Sequence, residues 1–299
     1  MNIVVAVPVD EALASFLGKK SSEDSIAFYN RKAGDNVLVA LFPRQEDEKV
    51  YALAESLLMS SRVALSTSAL DKRFGEALVA CSVLGRRVFV TDDNDASDLI
   101  RSAGLKEYSV VPKAELIEKL MDGAQPAADG PTRVDLDKAF PVRGIGTVAL
   151  GVVTRGVVKQ HDKLFHTSGR EVLVRSIQSQ DEDVESAGVG TRVGLSLKEI
   201  GDREIEKGDL LTANQVKKSG RISVDCRTSA IAKESIAEGG LYGVASNFSY
   251  SECVVKKVDG RRLDLELKAP MPIEEGDEVL IIRSKVPRIF AAGRVVGKG

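Results

Sequence analysis

Glycine divides this chain in two. Residues 1–122 hold 5 of its 26 glycines, and residues 123–299 hold the other 21. Lacking a Cβ, glycine reaches positive φ at little cost, so it collects where tight turns are frequent. The first part therefore reads as helices and strands with few tight turns, and the second as many short strands joined by turns. Between them, Asp122 to Pro131 (DGAQPAADGP) is polar, rich in Pro and Gly and without hydrophobic period, which is linker composition. The expected division is an α/β unit at 1–122, a linker at 123–132, and β-barrels at 133–218 and 219–299.

The first part alternates. NIVVAVP (2–8) is a β-branched run, after which Asp10 can cap a helix through Leu17, with Gly18 just past its end. Residues 25–30, 36–42, 62–66, 86–91 and 108–111 read as further strands. Residues 46–59, 69–84, 96–103 and 113–121 carry apolar side chains at helical spacing, as at Val50, Leu53, Ala54, Leu57 and Leu58. Such alternation predicts a mostly parallel sheet with helices on both faces. In the second part, strands are predicted from Arg133 to Val296, with turns at Lys207-Gly208-Asp209, Asp259-Gly260 and Glu275-Gly276-Asp277. Short, numerous strands of this kind predict barrels or sandwiches meeting near Gln215–Gly220.

Composition excludes some classes of function. A net charge of −2, from 42 basic and 44 acidic residues, is not that of a polybasic nucleic-acid coat. The distribution is uneven: residues 1–122 carry −4 and residues 220–299 carry +2. Three cysteines (Cys81, Cys226 and Cys253) at long, unpatterned spacings do not form a disulfide framework or a zinc signature, and suit a reducing compartment. Cys81, in an apolar helix, reads as an inert core thiol. No signal peptide and no apolar run of about 18 residues is visible, so a cytoplasmic protein without a membrane partner is expected. His161 and His166 are five apart on an expected strand and face opposite ways, so no metal is expected. No nucleophile–base constellation is legible.

The segment Asp137, Phe140, Gly144, Gly146-Thr147-Val148 and Gly151 fits the pattern acidic-x-x-F-x-[VI]-x-G-x-G-T-V-x-x-G. It continues with Arg155-Gly156, with Ala187 to Leu195, and with Glu204 to Leu211. The end, Val286-Pro287-Arg288-Ile289-Phe290 through Gly293 to Val296, looks like R-[FW]-x-x-x-G-x-[GI]-V, with the aromatic one place later at Phe290. Residues 133–299 thereby resemble domains 2 and 3 of the EF-Tu-like translational GTPases, in particular the archaeal SelB-like factors and, for domain 3, the gamma subunit of archaeal initiation factor two. Gly144 and Gly146 are expected at a sharp bend where a side chain would crowd the turn. The resemblance implies a Ras-like, P-loop-NTPase-type α/β domain followed by two β-barrels.

The α/β part has that order of strands and helices without its motifs. A P-loop needs G-x-x-x-x-G-K-[ST], whose backbone N–H groups wrap phosphates. This chain has Pro8-Val9-Asp10-Glu11-Ala12 there, and two acids repel a triphosphate. Gly18-Lys19-Lys20-Ser21-Ser22 follows a helix, and reads as a helix end with a polar turn. Where the family has D-x-x-G stands Phe42-Pro43-Arg44-Gln45, and where it has [NT]-K-x-D stands Thr91-Asp92-Asp93-Asn94. The family's attacking-water histidine has no counterpart. With three motifs missing, GTP hydrolysis is not expected, nor is any cofactor. Without a γ-phosphate to order switch loops, the on/off cycle of the family is also not expected.

The resemblance further implies an RNA-facing surface. The domain 2 face towards the GTPase domain holds the aminoacyl end of tRNA in the family, and Asp137 and Lys138 fall where elongation factors carry two acids. Phe140, Arg143 and Arg192 are candidates for a pocket that stacks a terminal adenine and pairs with phosphate or carboxylate; core packing of Phe140 and solvation of the arginines are the plainer account. Lys256, Lys257, Arg261, Arg262 and Arg288 are candidates for RNA-backbone contact, or a charged hairpin tip. Tyr242, Phe248 and Tyr250 are interleaved with them, and core packing explains them as well. The expected partners are tRNA or another RNA, with the ribosome or a translation factor as further possibilities and no DNA. Two other classes stay open: a protein–protein adaptor with no RNA role, and a small-ligand enzyme in the former nucleotide cleft near Asp10, Asp92 and Asp93.

Overall fold

A computed structural model describes residues 2–34, 36–44, 50–68, 70–91, 96–122 and 130–299. Most of the linker (123–129), Gln45, Glu46–Lys49 and Asp92–Asp95 of the sequence reading lie outside the described residues.

The first unit is built from β1 (Ile3–Ala6), α1 (Glu11–Leu17), β2 (Lys19–Glu23), β3 (Ile26–Ala33), β4 (Asn36–Pro43), α2 (Tyr51–Met59) and β5 (Arg62–Ser66). It continues with α3 (Lys72–Leu84), β6 (Arg87–Thr91), α4 (Ser97–Ser102), β7 (Tyr108–Val110) and α5 (Leu116–Met121). The sheet order is β2-β3-β4-β1-β5-β6-β7. From β4 to β7 every pairing is parallel, whereas β2 and β3 run antiparallel to their neighbours. Helices α1 and α5 bury Leu13, Leu17, Leu116 and Leu120 on one face, and α2, α3 and α4 cover the other. The helix starts follow local chemistry: Asp10 caps α1 and Asp71 caps α3, each through its carboxylate.

The second unit holds β8 (Arg133–Val142), β9 (Gly146–Arg155), β10 (Val157–Lys159), β11 (Lys163–His166), β12 (Glu171–Ser179), β13 (Glu182–Val184), β14 (Ser186–Gly188), β15 (Arg192–Lys198) and β16 (Leu210–Thr212). The order β11-β16-β8-β9-β15-β12 closes through a β11–β12 pairing into a six-stranded barrel, with β13 appended and β10–β14 as a separate ribbon. The third unit, β17 (Lys218–Thr228), β18 (Leu241–Ser246), β19 (Ser249–Asp259), β20 (Arg262–Pro272), β21 (Glu278–Ile282) and β22 (Ile289–Lys298), is a second closed barrel of six strands. Strand β19 alternates as a barrel wall requires, with Ser251, Cys253 and Val255 inside and Glu252 and Lys256 outside.

Two local readings are corrected. Gly144 and Gly146 sit in the β8–β9 turn at φ +81° and +102°, and a Cβ on either would meet nothing within 4 Å; positive φ, not crowding, requires glycine there. His161 is in the turn before β11, at φ 70°, not on a strand.

The cores are continuous across the units. One apolar cluster joins Leu57 and Phe74 of α2 and α3 to Leu280, Ile282 and Ile289 of the third unit. Another joins Phe28 and Leu41 to Val152 of the second unit and Phe248 of the third. Ion pairs follow the same seams: Arg288 to Glu76 at 2.6 Å, Arg86 to Glu278 at 2.6 Å and Lys207 to Glu55 at 2.5 Å. Arg133 ties the barrels together, bonding Asp135 and Asp277.

Candidate functional site

Two regions were singled out by the sequence, and the structure gives each a geometry. The first is the crevice beyond β1. Only Val7, Pro8, Val9 and Asp10 connect β1 to α1, and Pro8 has no N–H to offer. The Asp10 carboxylate accepts from the Leu13 N–H at 3.1 Å and from the Ser68 hydroxyl at 3.4 Å, so the helix start is already occupied by an internal anion. Beside it, Glu11 accepts from the Tyr29 hydroxyl at 2.6 Å and from Lys20 at 3.1 Å. Those bonds hold the Glu11 carboxyl below its ordinary range and keep it ionised.

The run Gly18-Lys19-Lys20-Ser21-Ser22 is neither a phosphate loop nor a polar turn. Gly18 is extended (φ −168°), and residues 19–23 form the edge strand β2. A Cβ at Gly18 would lie 2.8 Å from the Asn30 backbone, so glycine is required there by close approach to β3. Lys20 is drawn into pairs with Glu11 and Glu23, and Arg44 also pairs with Glu23.

The second region is a cavity of about 230 Å³ where the end of β2 meets the second unit. Ser22, Glu23 and Asp24 form one wall, and Asp137, Lys138, Phe140 and Arg192 form the other. Arg192 is 8% exposed. One of its terminal nitrogens, Nη2, donates to Asp137 at 2.6 Å and reaches the Ser22 hydroxyl at 3.4 Å. Its guanidinium lies 3.7 Å from the centroid of Phe28, a cation–π contact. Burial lowers its pKa against the opposing pull of Asp137. The other terminal nitrogen, Nη1, is buried with no hydrogen-bond partner among the described residues. An orphaned cationic donor at a cavity is suited to an acceptor on a ligand.

Phe140 and Arg192 are thus brought together, but Arg143 is not. It stands exposed in the β8–β9 turn, outside the cavity lining. Phe28 and Ser22, which complete the arginine's surroundings, come from another unit; Phe28 reads as an ordinary strand residue and Ser22 as part of a polar turn, and neither signals an arginine partner.

The basic candidates of the third unit separate too. Lys256, Lys257, Arg261 and Arg262 are exposed on the β19–β20 hairpin, and each has a carboxylate neighbour: Glu266 at 3.1 Å, Asp259 at 3.7 Å, Asp225 at 3.0 Å and Asp264 at 3.6 Å. Arg288 is not on that surface. It lies at the seam with α3, where Glu76 accepts from its Nε at 2.8 Å and its Nη2 at 2.6 Å. The aromatic residues near these bases also face inward: Phe248 joins a core cluster and Tyr242 packs against Phe290 at 5.9 Å.

No group of three metal-ligating side chains occurs among the described residues. His166 is buried beside Asp209, at 3.2 Å. Burial raises the thiols of Cys81, Cys226 and Cys253 to about 12, consistent with inert core positions. No helix among the described residues is long and apolar enough to cross a membrane, which says nothing of strands.

Residues 146–212 match the family model for elongation factor Tu domain 2. An uncharacterized protein of Methanocaldococcus jannaschii is 26% identical over 296 residues, covering 95% of this chain and 96% of that one. The selenocysteine-specific elongation factor of Haemophilus influenzae is 27% identical over 173 residues; the match covers 56% of this chain and only 28% of the factor. A solved structure of translation elongation factor SelB from Methanococcus maripaludis, bound to the GTP analogue GppNHp, superposes with a TM-score of 0.83 at 20% identity, covering all of this chain and 80% of that one. The chain therefore has the fold of that SelB structure, a Ras-like α/β domain followed by two six-stranded barrels, and residues 146–212 of its first barrel match elongation factor Tu domain 2.

Proposed function

We propose that this protein is a translation-factor paralogue that has lost GTP hydrolysis and works by contact, binding tRNA or another RNA, or a translation partner, through its barrels. The observation that carries the reading is the four-residue connection from β1 to α1. Its Asp10 caps the helix with its own carboxylate, and Glu11 follows it as a second anion. Phosphoryl transfer depends on positioning and on neutralising phosphate charge, and this loop supplies anions where cations and free N–H groups are needed. The first domain is then a fixed scaffold that holds the barrels.

The test is a calorimetric titration of the full chain with GTP and GDP in the presence of magnesium. No heat of binding is the expected result, and micromolar affinity would overturn the loss of nucleotide chemistry. The RNA arm is tested separately with labelled tRNA. Binding that weakens steeply between about 50 mM and about 200 mM salt is expected; no shift at low salt removes it. A second reading, a protein–protein adaptor, is favoured by the carboxylate beside every base of the β19–β20 hairpin, since paired lysines and arginines offer less to a phosphate backbone.

A further inference from the structure

Another cavity, of about 1050 Å³, lies between the first and third domains. The starts of α2 and α3 form one side of it; β18, β19, β20 and the segment after β21 form the other. Its walls include Leu241, 79% exposed, and Val286, 66% exposed, the two most exposed of the large hydrophobic side chains described. Apolar surface presented to water beside a cleft is the mark of a binding site rather than of scattered surface chemistry.

The polar groups narrow the ligand. The Tyr51 and Tyr250 rings pack at 44° to one another with centroids 3.8 Å apart, and their hydroxyls share a hydrogen bond of 2.8 Å. That bond uses one of the two hydroxyl protons, so the pair keeps one O–H for a ligand; burial and the Tyr51 contact raise the Tyr250 pKa, so the pair stays protonated at neutral pH. The carboxylates lining the cavity are already paired: Glu76 with Arg288, Glu252 with Lys268 at 2.8 Å, and Glu266 with Lys256 at 3.1 Å. Lys72, at the start of α3, has no ion partner among the described residues. Among the described residues, the charge left unbalanced on the wall is positive. A nucleic-acid strand is disfavoured by Glu252 and Glu266 on the same wall.

We infer that this cavity binds a small amphipathic organic anion. Its apolar body lies against Leu241, Val286 and the tyrosine rings, and its anionic group sits beside Lys72 and accepts from the hydroxyl proton that the Tyr51–Tyr250 pair leaves free. This site is separate from the RNA or partner surface of the proposed function, and its ligand contributes no chemistry to the crevice beyond β1.

The probe is 8-anilino-1-naphthalenesulfonate, titrated by fluorescence into the full chain, with the uncharged N-phenyl-1-naphthylamine as comparator. Saturable binding to the native protein is expected. Lys72→Ala is expected to weaken the sulfonate by about two- to fivefold while leaving the uncharged probe unchanged. Leu241→Asp is expected to weaken both by about tenfold or more. Val110→Asp, at an exposed position on β7 outside the cavity lining, is the control and leaves both unchanged. All three positions are exposed, so thermal melting stays that of the parent chain and reports any misfolding directly. Non-saturable uptake overturns the site. So does an unchanged affinity in Leu241→Asp, an equal loss in Val110→Asp, or a Lys72→Ala effect shared by the uncharged probe.

Discussion

Glu76 is the most direct handle on how the first and third domains are joined. It projects from α3, its side chain is 3% exposed, and Arg288 opposite it is 20% exposed. Arg288 delivers three bonds to this one carboxylate: Nε at 2.8 Å, Nη2 at 2.6 Å and its backbone N–H at 3.1 Å. In Glu76→Gln the volume is kept, but one oxygen becomes an NH₂ group that faces a guanidinium donor. Removing one partner of a buried pair costs about 3–5 kcal/mol, because the other charge is left desolvated. Water reaches a fifth of the Arg288 side chain and recovers part of that, so about 2–4 kcal/mol is expected. At about 2 °C per kcal/mol for a chain of this size, the melting temperature falls by roughly 4–8 °C. Urea unfolding followed by circular dichroism measures the loss directly, with an unchanged m-value showing that the same surface is still exposed. The double variant Glu76→Leu with Arg288→Met is expected to recover most of the stability, since an apolar pair of similar size avoids the desolvation penalty. A Glu76→Gln protein within 0.5 kcal/mol of the parent would refute the reasoning. So would separate unfolding transitions for the first and third domains, because a shared core requires that they melt together.

Glu55, buried against Lys207, has its pKa raised by burial to about 7 from an ordinary 4.5. The folded chain therefore binds this proton more tightly than the unfolded one, and stability falls as pH rises from about 4.5 to about 7, by about 3 kcal/mol at most; Glu55→Gln flattens that slope in denaturation curves taken across the range. Gly18→Ala places a Cβ 2.8 Å from the Asn30 backbone and is expected to cost about 1–3 kcal/mol, with loss of amide-exchange protection confined to β2 and β3. Asp10→Ala uncaps α1 for about 1 kcal/mol, and calorimetry on that variant is expected to show no gain of GTP binding, because Glu11 and the short connection remain.

The hairpins of the barrels were legible because their signals are local. A glycine at a turn and side chains alternating on either side of it lie within one short stretch of chain, as at Asp259-Gly260 between β19 and β20. The first domain's order was legible for the same reason, through its apolar runs and through Asp10 at the start of α1. Strand β2 was not. Lys-Lys-Ser-Ser-Glu is polar throughout, has no alternation to read, and becomes a strand only because β3 offers an edge and Glu11 neutralises Lys20. The candidate pocket was half legible: Phe140 and Arg192 fall within the domain 2 resemblance, whereas the Phe28 ring that fixes the arginine comes from a strand of another domain. Glu55 and Glu76 were hidden in a similar way. Each reads as the polar side of a helix, and each is buried by a cation 152 or 212 residues further along the chain. Arg288 was assigned to an RNA surface because a sequence shows that a residue is charged and not what neutralises it.

The seams also bear on whether this protein can switch. Swinging the third domain away from α2 and α3 would expose Leu280, Ile282 and Ile289, all of them buried in the shared cluster. At about 1.5–3 kcal/mol for each such side chain, that exposure costs roughly 5–9 kcal/mol before the Glu76–Arg288 and Arg86–Glu278 pairs are broken. A ligand can shift such an equilibrium only by its difference in affinity for the two arrangements, and reversing a 1:99 population already takes about 5.5 kcal/mol. A bound triphosphate could supply that difference through many charged contacts. In the proposed reading the connection from Val7 to Asp10, where the Asp10 carboxylate caps α1, does not form such contacts. If the proposed loss of nucleotide chemistry holds, the same geometry argues against a large domain rotation, and small-angle scattering of the full chain with and without GTP is then expected to give the same profile.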